Sequence, residues 1–105
     1  MRKIEQQMNT AIDREVDWKS ANTEVANIDG VSYVYLHGNK IAEVGDTWMQ
    51  LFDGGWQSNT TKSRLNALLR GHGIGGECVF QKNHVWQFRM SDGSVIPFFS
   101  GMRLN

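Results

Sequence analysis

An α+β fold dominated by antiparallel strands is what this sequence predicts, and three observations lead to it. Short runs rich in Val, Tyr, Phe and Trp are separated by Gly-containing turns of two or three residues, which join neighbouring antiparallel strands. Only two stretches, about 2–16 and 60–71, space their apolar residues as a helix does. Gly occurs 11 times and Pro once in 105 residues, which fits tight hairpins rather than Pro-rich linkers. The predicted order is an N-terminal helix, a four-stranded antiparallel meander, one short central helix and about three further antiparallel strands. All of it fits one domain over 1–105, divided as helix 1–18, meander 23–52, helix 60–71 and second β segment 77–104.

Met1, Ile4, Met8, Ala11, Ile12 and Val16 recur at three and four residues, with polar residues between them. This stripe is a core face or, alternatively, the seam of a homodimer. Trp18 follows and is expected to pin the helix end to the body. Thr23–Ile28 then leads into Asp29-Gly30, a strong hairpin signal. Val31–Leu36, the turn His37-Gly38-Asn39, Lys40–Val44, the turn Gly45-Asp46 and Thr47–Phe52 complete the meander. Trp48, Gln50 and Phe52 fall on one face of the last strand, and Thr47, Met49 and Leu51 on the other.

The stretch from Gly54 to Asn66 joins sheet to helix. Thr60 or Thr61 is expected to cap the helix, with Asn59 offering the same chemistry. Leu65, Leu68, Leu69 and His72 form its buried stripe; Lys62, Asn66 and Arg70 fall on another face. Gly71 and Gly73 stop it, and His72 reads as a cap or core-edge residue at the negative end of the dipole. Strands follow at 77–82, 85–90 and 95–99, with Trp86, Phe88 and Met90 sharing a face. Pro97 implies an edge strand, and 102–104 can add a short final pairing.

Formal net charge is zero, but its distribution is uneven. Residues 23–55 set Lys40 against Glu24, Asp29, Glu43, Asp46 and Asp53, a balance of −4; residues 56–105 set six cations against Glu77 and Asp92, a balance of +4. The halves either present faces of opposite sign or attract each other within the fold. Cys78 is the only cysteine, so it has no disulfide partner in the chain, and it reads as a small buried hydrophobe on a strand. The basic start is followed by no apolar run of signal-peptide length, and no stretch reaches the roughly 18 apolar residues of a membrane span. A soluble, intracellular protein without membrane association is expected.

No reaction is legible. His37, His72, His84 and Cys78 lack metal-ligand spacing, and no nucleophile elbow occurs. Gly71–Gly76 is glycine-rich, but it follows a helix and precedes a strand, the reverse of a phosphate-cradling loop. The expectation is a non-enzymatic protein with no catalytic residue, metal or cofactor.

The joint has the right order of parts for an anion site: strand, Gly-Gly, Trp56, hydroxyl side chains, then a helix start with Lys62 and Arg64. In the functional reading Trp56 stacks on a base, Thr60 and Thr61 donate to phosphate, and Lys62 and Arg64 neutralise it. Lys82 and an exposed Trp86 extend the surface. In the structural reading the threonines cap, Trp56 plugs the core and the cations are a solvated helix face.

His37-Gly38-Asn39-Lys40-Ile41-Ala42, the run from Phe52 to Asn66, and Val79-Phe80-Gln81-Lys82-Asn83 with Trp86 carry a resemblance over roughly residues 20–100. In these the chain resembles a group of small accessory proteins of tailed bacteriophages. The resemblance implies a phage gene product made in the host bacterial cytoplasm and acting by binding, in host takeover or anti-defence. Three partners follow from residues and resemblance together: nucleic acid or a nucleotide at the joint, a host protein held by exposed aromatics, or a second copy through the N-terminal helix.

Overall fold

The computed structural model describes residues 1–104. Helix α1 (Lys3–Asp13) is shorter than the apolar period suggests, because Glu15 turns left-handed at φ 54° and Val16 donates back to the Ala11 carbonyl. Met8, Ala11 and Ile12 are buried as the period requires. The buried face also takes in Glu5 and Asn9, whereas Met1 and Val16 are exposed. That face packs on the second helix and the second strand, so the apolar stripe finds its partner within the chain.

Strand β1 (Trp18–Ser20) was not anticipated; its three residues pair with β2 (Thr23–Ile28), while Trp18 packs on the core as expected. Strands β2, β3 (Val31–Leu36), β4 (Asn39–Val44) and β5 (Met49–Leu51) form the predicted antiparallel meander. Asp29 and Gly30 have φ of 51° and 80°, the doubly left-handed turn that matches strand twist. A register shift opposite Val34/Tyr35 turns both Ile41 and Ala42 inward.

Helix α2 (Asn59–His72) crosses to a second sheet of β6 (Cys78–Lys82), β7 (Val85–Arg89) and β8 (Val95–Pro97). Pro97 lies on an edge strand, as its missing N–H demands. The final strand, β9 (Met102–Leu104), does not extend this set. It returns to β5, giving a first sheet ordered β1-β2-β3-β4-β5-β9.

Both helices pack on the inner face of the first sheet. Leu65, Leu68 and Leu69 of α2 join Val25, Val34, Leu51, Met102 and, from the second sheet, Val79 and Phe88 in one core cluster. Asn66 fastens α2 to β6 by mimicking a ladder: its Nδ2 donates to the Val79 carbonyl at 2.8 Å and its Oδ1 accepts the Val79 N–H at 2.7 Å. The first sheet's other face is only half covered. There the Lys40 ammonium lies 4.5 Å from the Phe52 ring centroid, and the Arg103 guanidinium 4.5 Å from that of Trp48.

Candidate functional site

The joint begins where β5 ends. The Phe52 N–H donates to Ile41, and Gly54 and Gly55 then take φ of 68° and 83°. A Cβ on Gly54 would stand 3.2 Å from the Ile41 methyl, and at φ 68° it would be strained as well, so glycine lets the chain pass this close over β4 without cost. Asp53 closes the turn: its Oδ1 accepts the Gly55 N–H at 2.8 Å, and its Oδ2 accepts from the Gln57 amide.

Ser58, rather than Thr60 or Thr61, caps α2: its Oγ accepts the Thr61 N–H at 3.1 Å. The capping position lies one residue before Asn59 because the helix starts earlier than its apolar stripe. The Thr61 side chain is buried, and its hydroxyl donates to the Trp56 carbonyl. Thr60, half exposed, faces outward from the first turn.

Between this turn and the β3–β4 hairpin lies a cleft of about 450 Å³. Leu36 and Ile41 contribute its apolar lining; His37, Asn39 and Asp53 supply polar groups; Trp56, Ser58, Thr60 and Thr61 complete it. Trp56 is 75% exposed and does not plug the core. The wall combines an open aromatic face with hydroxyls and amides at a helix N-terminus, the parts that hold a flat polar ligand.

The seven predicted binding residues separate. Trp56, Thr60 and Thr61 come together in the cleft. Lys62 is half-buried on the same turn of α2 and does not line it. Lys82 is exposed on the second sheet. Two expectations are corrected. Arg64 is no free cation: it is 3% exposed, and its Nη1 lies 2.9 Å from Glu5 Oε2, with Nε donating to Thr23 and Nη2 to Asn22. Its spacing points it at α1, whose buried face carries a carboxylate rather than a methylene. Trp86 is not exposed either. It is 3% exposed and packs edge-on against Phe98 with centroids 5.4 Å apart, because alternation along β7 sends it inward with Phe88.

His37, Asn39 and Asp53 were read only as turn residues. The β4–β5 hairpin register could have found them: Ala42 opposite Leu51 places the chain after Phe52 beside the start of β4.

Two buried titratable groups lie outside the cleft. Burial pushes the Glu5 carboxyl up, but Ser63, Arg64 and the Arg2 N–H all donate to it, and with the Arg64 charge they hold it below its ordinary value. His72 sits at the edge of a second cavity of about 290 Å³, beside Trp48 and Glu77. Burial lowers its pKa against the opposing pull of Asp13, 3.5 Å away, and its Nε2 bonds Asn9. It is a core-edge residue in which desolvation outweighs the attraction of Asp13 for a cation. Cys78 is half-buried on β6. Among the described residues no three His, Cys, Asp or Glu side chains are placed to hold a metal, and no helix is long and apolar enough to cross a membrane.

Fold and cleft together define a small α+β protein with a cleft at a sheet-to-helix junction. The chain belongs to the Kyanoviridae Gp96 protein family, whose model it matches over residues 1–105, and is thus a phage protein. No curated protein and no solved structure matches it.

Proposed function

We propose that this phage protein is a non-enzymatic accessory factor of host takeover or anti-defence. It works in the host cytoplasm by binding a nucleotide or nucleic acid at the junction cleft. The observation that carries this reading is the 75% exposed Trp56 at the rim of a 450 Å³ cleft built on the first turn of α2. An aromatic held in water costs exposed apolar area and suits a stacking platform. The cleft offers Asn39, His37 and Thr60 to the polar edge of a base, and it includes one carboxylate, Asp53, and neither Lys nor Arg. The base therefore enters the cleft and the phosphate stays at its rim, toward Lys62.

Titration of the protein with adenosine, adenosine monophosphate and an eight-residue oligothymidylate, followed by tryptophan fluorescence and calorimetry, tests this. At least one probe is expected to saturate, with binding lost in Trp56→Ala and weakened by added salt for the phosphate-bearing probes. Saturation that is unchanged in Trp56→Ala, or no saturation by any probe, overturns the reading.

A further inference from the structure

The outer face of the second sheet is a different kind of surface. Alternation in β6, β7 and β8 sends Val79, Trp86, Phe88 and Ile96 to the core side. It leaves cross-strand rows on the other face: Phe80 with Gln87 and Pro97, Lys82 with Val85, and Cys78 with Arg89 and Val95. Val85 is 53% and Val95 49% exposed, and Lys82 and Arg89 are exposed beside them. Of the large apolar side chains that stand in solvent, Val85 and Val95 are the two that these rows carry, with half-buried Phe80 and exposed Pro97 in the row between them. Exposed apolar side chains set among cations on an uncovered sheet face suit an interaction site.

Its charge is one-sided. The three strands contain Lys82 and Arg89 and no carboxylate. Nearby, Glu77 is engaged with the Ile74 N–H and Asp92 with Ser94 in its own turn. Neither helix covers this face: α1 is packed on α2 and β2, and α2 lies on the core side.

We propose that this face docks a partner protein, through an extended acidic segment that carries apolar side chains between its carboxylates. Charge complementarity selects that occupant: carboxylates meet Lys82 and Arg89 while apolar groups cover Val85, Val95 and Phe80. A second copy is disfavoured. An isologous pairing sets the cations of one face against those of the other, with no carboxylate on either to offset them. Single-stranded nucleic acid is disfavoured because the exposed apolar groups, Val85, Val95 and Pro97, offer no aromatic ring on which bases stack, and the one ring in these rows, Phe80, is half-buried. This surface is separate from the Trp56 cleft and stands whether or not the cleft binds a nucleotide.

The test is amide chemical-shift mapping on the isotopically labelled full chain. The probes are an eight-residue peptide alternating Glu and Val, its Lys–Val counterpart, an eight-residue oligothymidylate, and the protein alone over a range of concentrations. The Glu–Val peptide is expected to shift amides of β6, β7 and β8 and to leave Gly54–Thr60 unmoved. Lys82→Glu with Arg89→Glu is expected to weaken it at least about tenfold, since two exposed charge contacts are reversed. If that variant loses its dispersed spectrum, Lys82→Gln and Arg89→Gln taken singly carry the same expectation at smaller size. No shift by the Glu–Val peptide overturns the proposal. So does an equal response to the Lys–Val peptide, a response of these strands to the oligothymidylate, or a concentration-dependent shift showing that a second copy takes the face.

Discussion

Two polar regions, centred eight residues apart on Trp56 and Arg64, flank the start of α2, and they end in opposite states. Around Arg64 every polar group is spent inside the protein: Glu5, Ser63, Thr23, Asn22 and the guanidinium satisfy one another. Around Trp56 the polar groups of His37, Asn39 and Thr60 line a cavity, and the ring stands in water. Both regions carry the residue types of a binding site. The difference shows that such types at a helix start signal a ligand only where the tertiary partners are missing, because a buried charge must be paired whereas an exposed aromatic need not be.

The comparison breaks most sharply at the closed region. Arg64→Met leaves Glu5 buried beside Ser63 without its counter-charge and is expected to cost about 3–5 kcal/mol in urea unfolding. Glu5→Met combined with Arg64→Met is expected to cost less than Arg64→Met alone, since no charge is then left unpaired. A double variant as unstable as the sum of the singles would show that the pair is not coupled.

The two tryptophans give the next contrast. Trp86→Ala removes a buried ring packed on Phe98 and is expected to lose about 3–5 kcal/mol. Trp56→Ala is expected to change stability by less than about 0.5 kcal/mol while abolishing nucleotide binding. A large destabilisation by Trp56→Ala would place that ring in the fold rather than in the site.

Acid sharpens the distinction. The Glu5 carboxyl has a folded pKa below its unfolded value, so its contribution is full above the unfolded value and is lost as pH falls through the folded one. The His72 pKa is also lowered on folding, so the unfolded chain takes up the proton first and stability falls as pH drops below the ordinary imidazole value. Unfolding free energy measured from pH 7 downward is expected to decline in two stages, His72 before Glu5. Arg64→Met should reduce the second stage, because the bond and charge that favour the carboxylate are gone. A second stage of unchanged size in that variant would remove Glu5 as its source.

The smallest expected effect is at the cap. Ser58→Ala deprives the Thr61 N–H of its acceptor and should cost about 1 kcal/mol, read as a lower unfolding midpoint. Thr60→Ala should leave the midpoint within about 0.5 kcal/mol, which separates the capping residue from its neighbour.

Much of the fold was legible because its signals are local. Asp29-Gly30 and His37-Gly38 name their own turns, alternation assigns the faces of β5 and β7, and Leu65, Leu68 and Leu69 mark the core face of α2. Two elements were not legible as they stand. Three-residue β1 has too few residues to show a period, and β9 gave no sign that it returns to β5 across the second sheet. In the cleft, Trp56, Thr60 and Thr61 were readable from their order along the chain. Asp53, His37 and Asn39 were not, because each also looks like an ordinary turn residue.

Sequence alone determined the strand-rich α+β class, both helices, the hairpins, Pro97 at an edge and the junction as the place to look. These follow from backbone preferences and periods that act over a few residues. Tertiary structure alone decided which polar residues are free. Arg64 and Trp86 are withdrawn from solvent and Trp56 is left in it because burial depends on what the rest of the chain brings opposite each side chain: a carboxylate from α1 for Arg64, Phe98 for Trp86 and open cavity for Trp56.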